Sequence, residues 1–169
     1  MTLAEPFVIR TARLTDLAAV VAIENACFPK AEAADRAALE RRLRCYPSHF
    51  WLLERDGKPV AFVNGLATDE RELRDEMYAN AALHDEHGAW QMLFGVATLP
   101  EYRGQGCASR LLRYVAEQAK AQRRLGLALT CKQALVPFYA SFGFCDEGIS
   151  DSTHGGVVWH AMRLTFRED

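Results

Sequence analysis

The run Arg103-Gly104-Gln105-Gly106-Cys107-Ala108 stands between a strand-like stretch, 92–98, and a strongly periodic helix, 109–123. No other feature constrains the fold as tightly. The first turn of a helix carries N–H groups with no partner inside the helix. The helix dipole adds partial positive charge at the same end, and the two together favour a phosphate. Gly104 and Gly106 let the backbone bend sharply and approach a ligand closely. Arg103 supplies a full charge, and the small Ala108 keeps the entry uncrowded. Behind the loop, Ala108, Leu111, Leu112, Val115, Ala116 and Ala119 recur at spacings of three and four, the mark of one buried helix face. Arg110, Arg113, Glu117, Gln118 and Lys120 fall elsewhere. A pyrophosphate is the anion such a loop best suits; a tight strand-to-helix turn that binds nothing is the plainer alternative. No Gly-Lys-Ser/Thr follows, which excludes a P-loop, and Ser109 stands where a Rossmann fingerprint needs its third glycine.

With 169 residues, half of them hydrophobic, the chain reads as a single domain over 1–169 with ample material for a core. No apolar run is long enough to span a membrane. The opening Met-Thr-Leu-Ala-Glu-Pro lacks the basic and apolar regions of a signal peptide. A net charge of −2 with interspersed signs argues against nucleic acid as a partner. Cys27, Cys45, Cys107, Cys131 and Cys145 are odd in number and scattered. They read as free thiols in a reducing, cytoplasmic setting, and no metal site is expected.

Along the chain, strands and helices alternate. A strand at 7–10 precedes a helix capped by Thr15 and running to about Cys27. A second helix is expected over 31–44, closed by Pro47. Strands at 50–54 and 60–67 flank an Asp56-Gly57 hairpin turn. The charged segment 69–88 is ambiguous. One buried strand is expected over 89–98, followed by the glycine loop and its helix, which Gly126 ends. A strand at 127–131, a short helix at 134–142 and strands from 144 and over 157–166 complete an α/β (α+β) layered domain.

A second constellation adds weight. The residues Cys131-Lys132-Gln133-Ala134-Leu135-Val136-Pro137-Phe138-Tyr139 lead through a short helix into Gly143-Phe144. With R-x-x-G-x-A at Arg103–Ala108, this resembles the GCN5-related N-acetyltransferases, whose acetyl-CoA signature is Q/R-x-x-G-x-G/A. The segment around Tyr139, together with Asp69-Glu70-Arg71, is similar to arylalkylamine N-acetyltransferases. The resemblance covers about 50–144. It implies a mixed, mostly antiparallel central sheet flanked by helices, and acetyl-CoA as co-substrate. One departure stands out. The subfamily carries two histidines, one residue apart, on the strand before the glycine loop, and here those positions are Met92 and Phe94.

What the resemblance implies can be placed residue by residue. N–H groups at Val96 and Thr98 would hold the pantetheine arm, and that of Val96 would polarise the thioester carbonyl. Gly95 would suit a bulge that splays this strand from its neighbour. The pyrophosphate would lie on Arg103, Gly104, Gln105, Gly106, Cys107, Ala108 and Ser109. Tyr139 would protonate the departing CoA sulfur; an aromatic packed on the sheet is the alternative. An alkylamine with a pKa of ~10.4 is under about one part in a thousand neutral at pH 7, so its proton must be removed. Glu24 is one candidate, because it shares an apolar helix stripe with Leu17, Val20, Val21 and Phe28 and needs a partner there. That partner is either the substrate ammonium or a neighbouring arginine. His84 and His87, in an acidic loop, are others, as is a water chain. Phe28, Trp90, Met92 and Phe94 are expected to line an acceptor pocket for a small primary amine with a hydrophobic or aromatic body; a core face is the alternative for Trp90, Met92 and Phe94. Acetylation of a protein N-terminus or lysine, and CoA sensing without catalysis, are the rival functions. A homodimer is left open.

Overall fold

Asp56 and Gly57 reverse the chain between two strands rich in apolar residues, β2 (Phe50–Arg55) and β3 (Lys58–Asn64). This hairpin is the centre of an antiparallel sheet. The computed structural model describes residues 7–167; the opening segment discussed above lies outside them. The described residues group into two compact units.

The first unit contains residues up to Asn64 together with Gly95–Val115. Its sheet has the order β1-β2-β3-β6, where β1 is Phe7–Thr11 and β6 is Gly95–Thr98. Registers such as Arg10↔Leu52, Leu52↔Phe62 and Phe62↔Ala97 carry one stripe of side chains across the strands. Helices α1 (Leu17–Cys27) and α2 (Arg36–Cys45) also belong to this unit. Leu17, Val20 and Ile23 of α1 and Leu39 and Leu43 of α2 join Phe50, Leu52 and Phe62 in one core. Fully burying each such side chain stabilises by about 1.5–3 kcal/mol. The rings of Phe50 and Phe62 meet edge-on at 5.3 Å.

Both helix starts differ from the sequence expectation, and in each case an aspartate decides. Asp16, rather than Thr15, organises the first: its Oδ2 accepts the Arg13 N–H at 2.7 Å, and Thr15 sits inside the short 3-10 turn Leu14–Asp16. Asp35 caps the second by accepting the Ala38 N–H at 2.8 Å, so α2 begins at Arg36 and not at 31.

The second unit contains Gly65–Phe94 and the residues from Ala116 onward. Its sheet has the order β4-β5-β7-β9-β8. The strands are β4 (Ala67–Thr68), β5 (Trp90–Leu93), β7 (Gly126–Cys131), β8 (Cys145–Ile149) and β9 (His160–Thr165). Only β5 and β7 run parallel. Mixed, mostly antiparallel sheets with helices are the expected fold class.

The single strand expected over 89–98 is two. Trp90–Leu93 pairs with β7, whereas Gly95–Thr98 pairs with β3, and the chain changes partners at Phe94. The strand expected over 60–67 likewise stops at Asn64. Segment 69–88 holds a short helix α3 (Asp75–Ala79) and the 3-10 turn Ala81–Leu83. The helix after the glycine loop, α4 (Cys107–Ala121), buries Cys107, Leu111, Leu112, Val115 and Ala119, which follows the predicted stripe. Gly126 does not end it: Arg123 adopts the left-handed conformation (φ 62°) that closes the helix. Gly126 instead opens β7, where a Cβ would come within 2.0 Å of the Leu164 carbonyl oxygen. The short helix near Tyr139 is a 3-10 turn, Gln133–Leu135, running into α5 (Val136–Ala140).

Candidate functional site

Strand β6 is the last strand of its sheet. In an antiparallel pair, residues alternate between those that exchange hydrogen bonds with the partner and those whose N–H and C=O point away from it. Leu99 N–H donates to Val60 O at 2.8 Å, which fixes the phase. Ala97 and Gly95 therefore bond to β3, and Val96 and Thr98 direct their polar groups to the outer edge. Val96 and Thr98 are half-buried and alternate with buried Gly95 and Ala97. These are the two residues the sequence reading assigned to the pantetheine arm. The Thr98 carbonyl on that edge accepts from Cys27 Sγ and from Arg103 Nε, each at 3.1 Å.

The glycine loop follows after the 3-10 turn Pro100–Tyr102. Gly104 and Gly106 have φ of 78° and 80°, in the left-handed region that L side chains resist. The helix starts two residues earlier than the sequence pattern suggested. Arg110 N–H is bonded to Gly106 O at 3.0 Å, so the N–H groups of Cys107, Ala108 and Ser109 precede the first helical bond. Arg103, Gly104, Gln105 and Gly106 are exposed, whereas the Cys107 side chain is buried and offers only its backbone. The Gln105 side-chain Oε1 accepts from Arg55 Nη1 of β2.

Glu24 ends the α1 stripe and is only 5% exposed. Its Oε2 accepts the Ala34 N–H at 2.9 Å, a main-chain partner that sequence reading did not foresee. Its Oε1 lies 3.9 Å from the point where a Cβ on Gly95 would sit. Asn64, fully buried and paired with Gly95 across the β3–β6 ladder, points its Nδ2 at the same place, 3.2 Å from that Cβ position. Asn64 Nδ2 has no hydrogen-bond partner. Asn64 and Arg42 were not singled out in the sequence, since an arginine on a charged helix reads as a solvated face. Phe28, at the C-terminus of α1, packs half-buried against the core.

In the second unit, Tyr139 is 6% exposed and meets Phe138 and Phe144 edge-on at 5.1 and 5.8 Å. Burial pushes its phenol well above the ordinary range, with the neighbouring Cys131 adding to the effect. The phenol therefore stays protonated through neutral pH, the state required of a proton donor. Cys131 is itself raised to about 11 by burial. Met92 is fully buried, and Trp90 lies beneath the Arg163 guanidinium, 4.5 Å from its ring centre. Phe94 remains half-buried, with its ring 4.7 Å from that of Tyr78, whose hydroxyl shares a 2.9 Å hydrogen bond with Thr130.

Four of the five histidine rings meet partners within the fold. His84 Nδ1 accepts the Ala67 N–H at 3.0 Å, and Nε2 faces Glu86 at 2.8 Å, so the ring ties the loop to the strand. His87 is exposed in the turn formed with Asp85. His49 is buried beside Trp51, His154 stacks on Tyr78, and His160 faces Asp146. All five cysteines are free thiols. A cleft of about 740 Å³ in this unit mixes polar and apolar lining, with Arg71, Asp75, Glu147 and Arg163 beside Leu129 and Met162. Arg163 Nε and Glu147 are 3.1 Å apart, and Asp75 accepts from Ser152 and Thr153. No described helix is long and apolar enough to cross a membrane.

Comparison with known proteins matches this arrangement to one family. The model of the acetyltransferase (GNAT) family covers residues 17–144. Serotonin N-acetyltransferase of Mesocricetus auratus is 31% identical over 116 residues, which is 66% of this chain and 53% of that protein. The chain thus spans about half the length of the curated relatives it matches. Among solved structures, the loading GNATL domain of CurA from Lyngbya majuscula has a TM-score of 0.80 at 17% identity, covering 94% of this chain and 97% of that one. Ard1 from Thermoplasma volcanium has a TM-score of 0.76 at 17% identity, covering 97% and 100%. At these identities the structures speak for the fold alone. With the family model spanning most of the chain, the protein belongs to the GNAT family of acetyltransferases.

Proposed function

We propose that this chain is an acetyl-CoA-dependent N-acetyltransferase that acetylates a small primary amine. The observation that carries the reading is a continuous stretch, 95–109, in which an open sheet edge leads into a helix start. Val96 and Thr98 offer main-chain donors to a pantetheine arm, and Gly104–Ser109 follow as a seat for the pyrophosphate. Similarity to serotonin N-acetyltransferase supports an amine acceptor. Met92 and Phe94, standing where that subfamily has histidines, set this chain apart in how the amine loses its proton.

In the proposed reaction the amine nitrogen attacks the thioester carbon. The N–C bond forms and the C–S bond breaks. The Val96 N–H stabilises the oxygen that gains charge. Glu24 accepts the proton lost from nitrogen, with Oε2 held by Ala34 and Oε1 on the Gly95 side. Tyr139 donates its proton to the departing sulfur; its place in the family-like segment supports this role, and because burial raises the phenol the transfer requires the thiolate close by. Phe94, half-buried beside Tyr78, supplies apolar surface for the body of the amine, while Met92 and Trp90 pack as core. A homodimer in the cytoplasm is compatible with this reading.

Acetyl-CoA consumption measured against a panel of arylalkylamines, alkylamines and peptides tests it. Turnover on small amines is the expected result. Turnover confined to peptides would identify a protein acetyltransferase, and tight acetyl-CoA binding without turnover on any amine would identify a sensor.

A further inference from the structure

Around the glycine loop the chain gathers more positive charge than a pyrophosphate requires. Arg55 closes β2 and donates to the Gln105 side chain at the loop's apex. Its guanidinium lies 5.4 Å from the Phe7 ring centre and 6.0 Å from that of Tyr102. Lys58, across the hairpin turn, places Nζ 6.0 Å from the same Tyr102 ring. Arg110, in the first turn of α4, lies 4.7 Å from Phe7. Arg103 is committed to the Thr98 carbonyl through Nε.

Among the described residues, Arg55, Lys58 and Arg103 form no ion pair with a carboxylate. Asp56 and Glu101 are exposed and do not pair with them either, and Glu54, next to Arg55 in sequence, is held by Arg10 at 2.6 Å. Elsewhere among the described residues Arg10, Arg71 and Arg74 each hold a carboxylate at 2.6–2.9 Å, while Arg36, Arg41 and Arg113 stand exposed without one, so what sets the hairpin cations apart is their grouping on Phe7 and Tyr102 beside the glycine loop. Cations left unpaired, and propped on aromatic faces that limit their rotamers, are prepared for an external anion.

We propose that Arg55 and Lys58 bind the 3′-phosphate of the CoA adenosine, so that the hairpin selects CoA thioesters over their dephospho forms. The inference rests on the proposed seating of the pyrophosphate at Gly104–Ser109. The loop N–H groups and Arg103 answer the pyrophosphate, and the hairpin pair answers the third phosphate, a group carrying about two negative charges at neutral pH. Gln105 fixes the orientation of the Arg55 fork, which suits bidentate phosphate binding, whereas Lys58 acts as a point charge.

Calorimetric titration with CoA and with dephospho-CoA tests the proposal without depending on turnover. The wild-type protein should bind CoA at least about tenfold more tightly. In Arg55→Met/Lys58→Met that preference should fall to about twofold or less while dephospho-CoA affinity stays unchanged. Arg113→Met, which removes an exposed charge further along α4, should keep the full preference. Equal affinities in the wild type, or a preference that survives in the double variant, overturn the proposal. A matching loss of preference in Arg113→Met would reduce it to general charge attraction and overturn it as well. The two readings fail separately: if CoA and dephospho-CoA bind equally but Gly106→Trp abolishes both, the pyrophosphate seat stands and only the hairpin assignment falls.

Discussion

Asn64 presents its side-chain oxygen to Arg42 Nη1 at 3.1 Å and thereby turns its amide nitrogen toward Gly95. The orientation follows from chemistry, because a guanidinium has only donors and must face the amide oxygen. Asn64→Leu removes an acceptor from a buried arginine and should destabilise the protein by about 1–3 kcal/mol. Asn64→Asp keeps an oxygen facing Arg42 and should retain more of the stability. Urea midpoints at equal slope measure the difference; a leucine variant as stable as wild type would mean Arg42 does not depend on this oxygen.

At the loop, Gly106 has a φ of 80° and open space beside it. Gly106→Trp puts a large side chain where the pyrophosphate is proposed to lie, and strains the backbone. The Michaelis constant for acetyl-CoA should rise tenfold or more while that for the amine changes little. An unchanged acetyl-CoA constant would place the pyrophosphate elsewhere.

Tyr139→Phe should lower kcat by a factor of about 10²–10⁴, the usual range for a lost general acid, and leave acetyl-CoA affinity intact. Steady-state rates and calorimetric binding separate the two effects. Equal turnover in the variant would show that another group protonates the sulfur.

Tyr46 and Tyr139 both have phenols pushed up by burial. A folded-state value above the unfolded one means that the associated stability is complete below the unfolded value, near about 10, and is lost as pH rises through the folded value. Their phenolate absorbance should therefore appear late and together with alkaline unfolding. Ultraviolet titration should show Tyr139→Phe removing one late-titrating phenol; a variant that instead loses a phenol ionising in the folded protein would contradict the burial.

Glu24→Gln preserves an oxygen for the Ala34 N–H and removes the carboxylate. Folding should be nearly unchanged, with circular dichroism melting within a few degrees, while kcat falls by a factor of about 10²–10⁴. Full activity in this variant would exclude Glu24 as the proton acceptor and favour a route through water.

The parts of the site that sequence revealed are those built from neighbours along the chain. The loop from Arg103 to Ala108 and the stripe from Leu111 to Ala119 are read from spacing alone, since local backbone and helix periodicity determine them. The strand break at Phe94 was not legible. Residues 90–98 look like one apolar strand because β5 is buried and β6 at least half-buried, and only their different partners, β7 and β3, separate them. Helix starts were misplaced for a smaller reason: Asp35 caps α2 further along than expected, and a 3-10 turn held by Asp16 delays α1 to Leu17.

Sequence by itself determined the donor side of the proposed reaction, because a glycine turn at a helix start makes an anion seat wherever the chain folds locally. It also singled out Tyr139 as the proposed acid, through the segment around it. Tertiary structure decided the rest. Strand pairing set the phase that turns Val96 and Thr98 to an open edge. Packing of α1 and α2 on the sheet buried Glu24 and Arg42. The β3–β6 ladder brought Asn64 opposite Gly95, and the hairpin carried Arg55 to Gln105. These are encounters between residues far apart in sequence, and periodicity in a single chain contains no record of which strand or helix a given residue will meet.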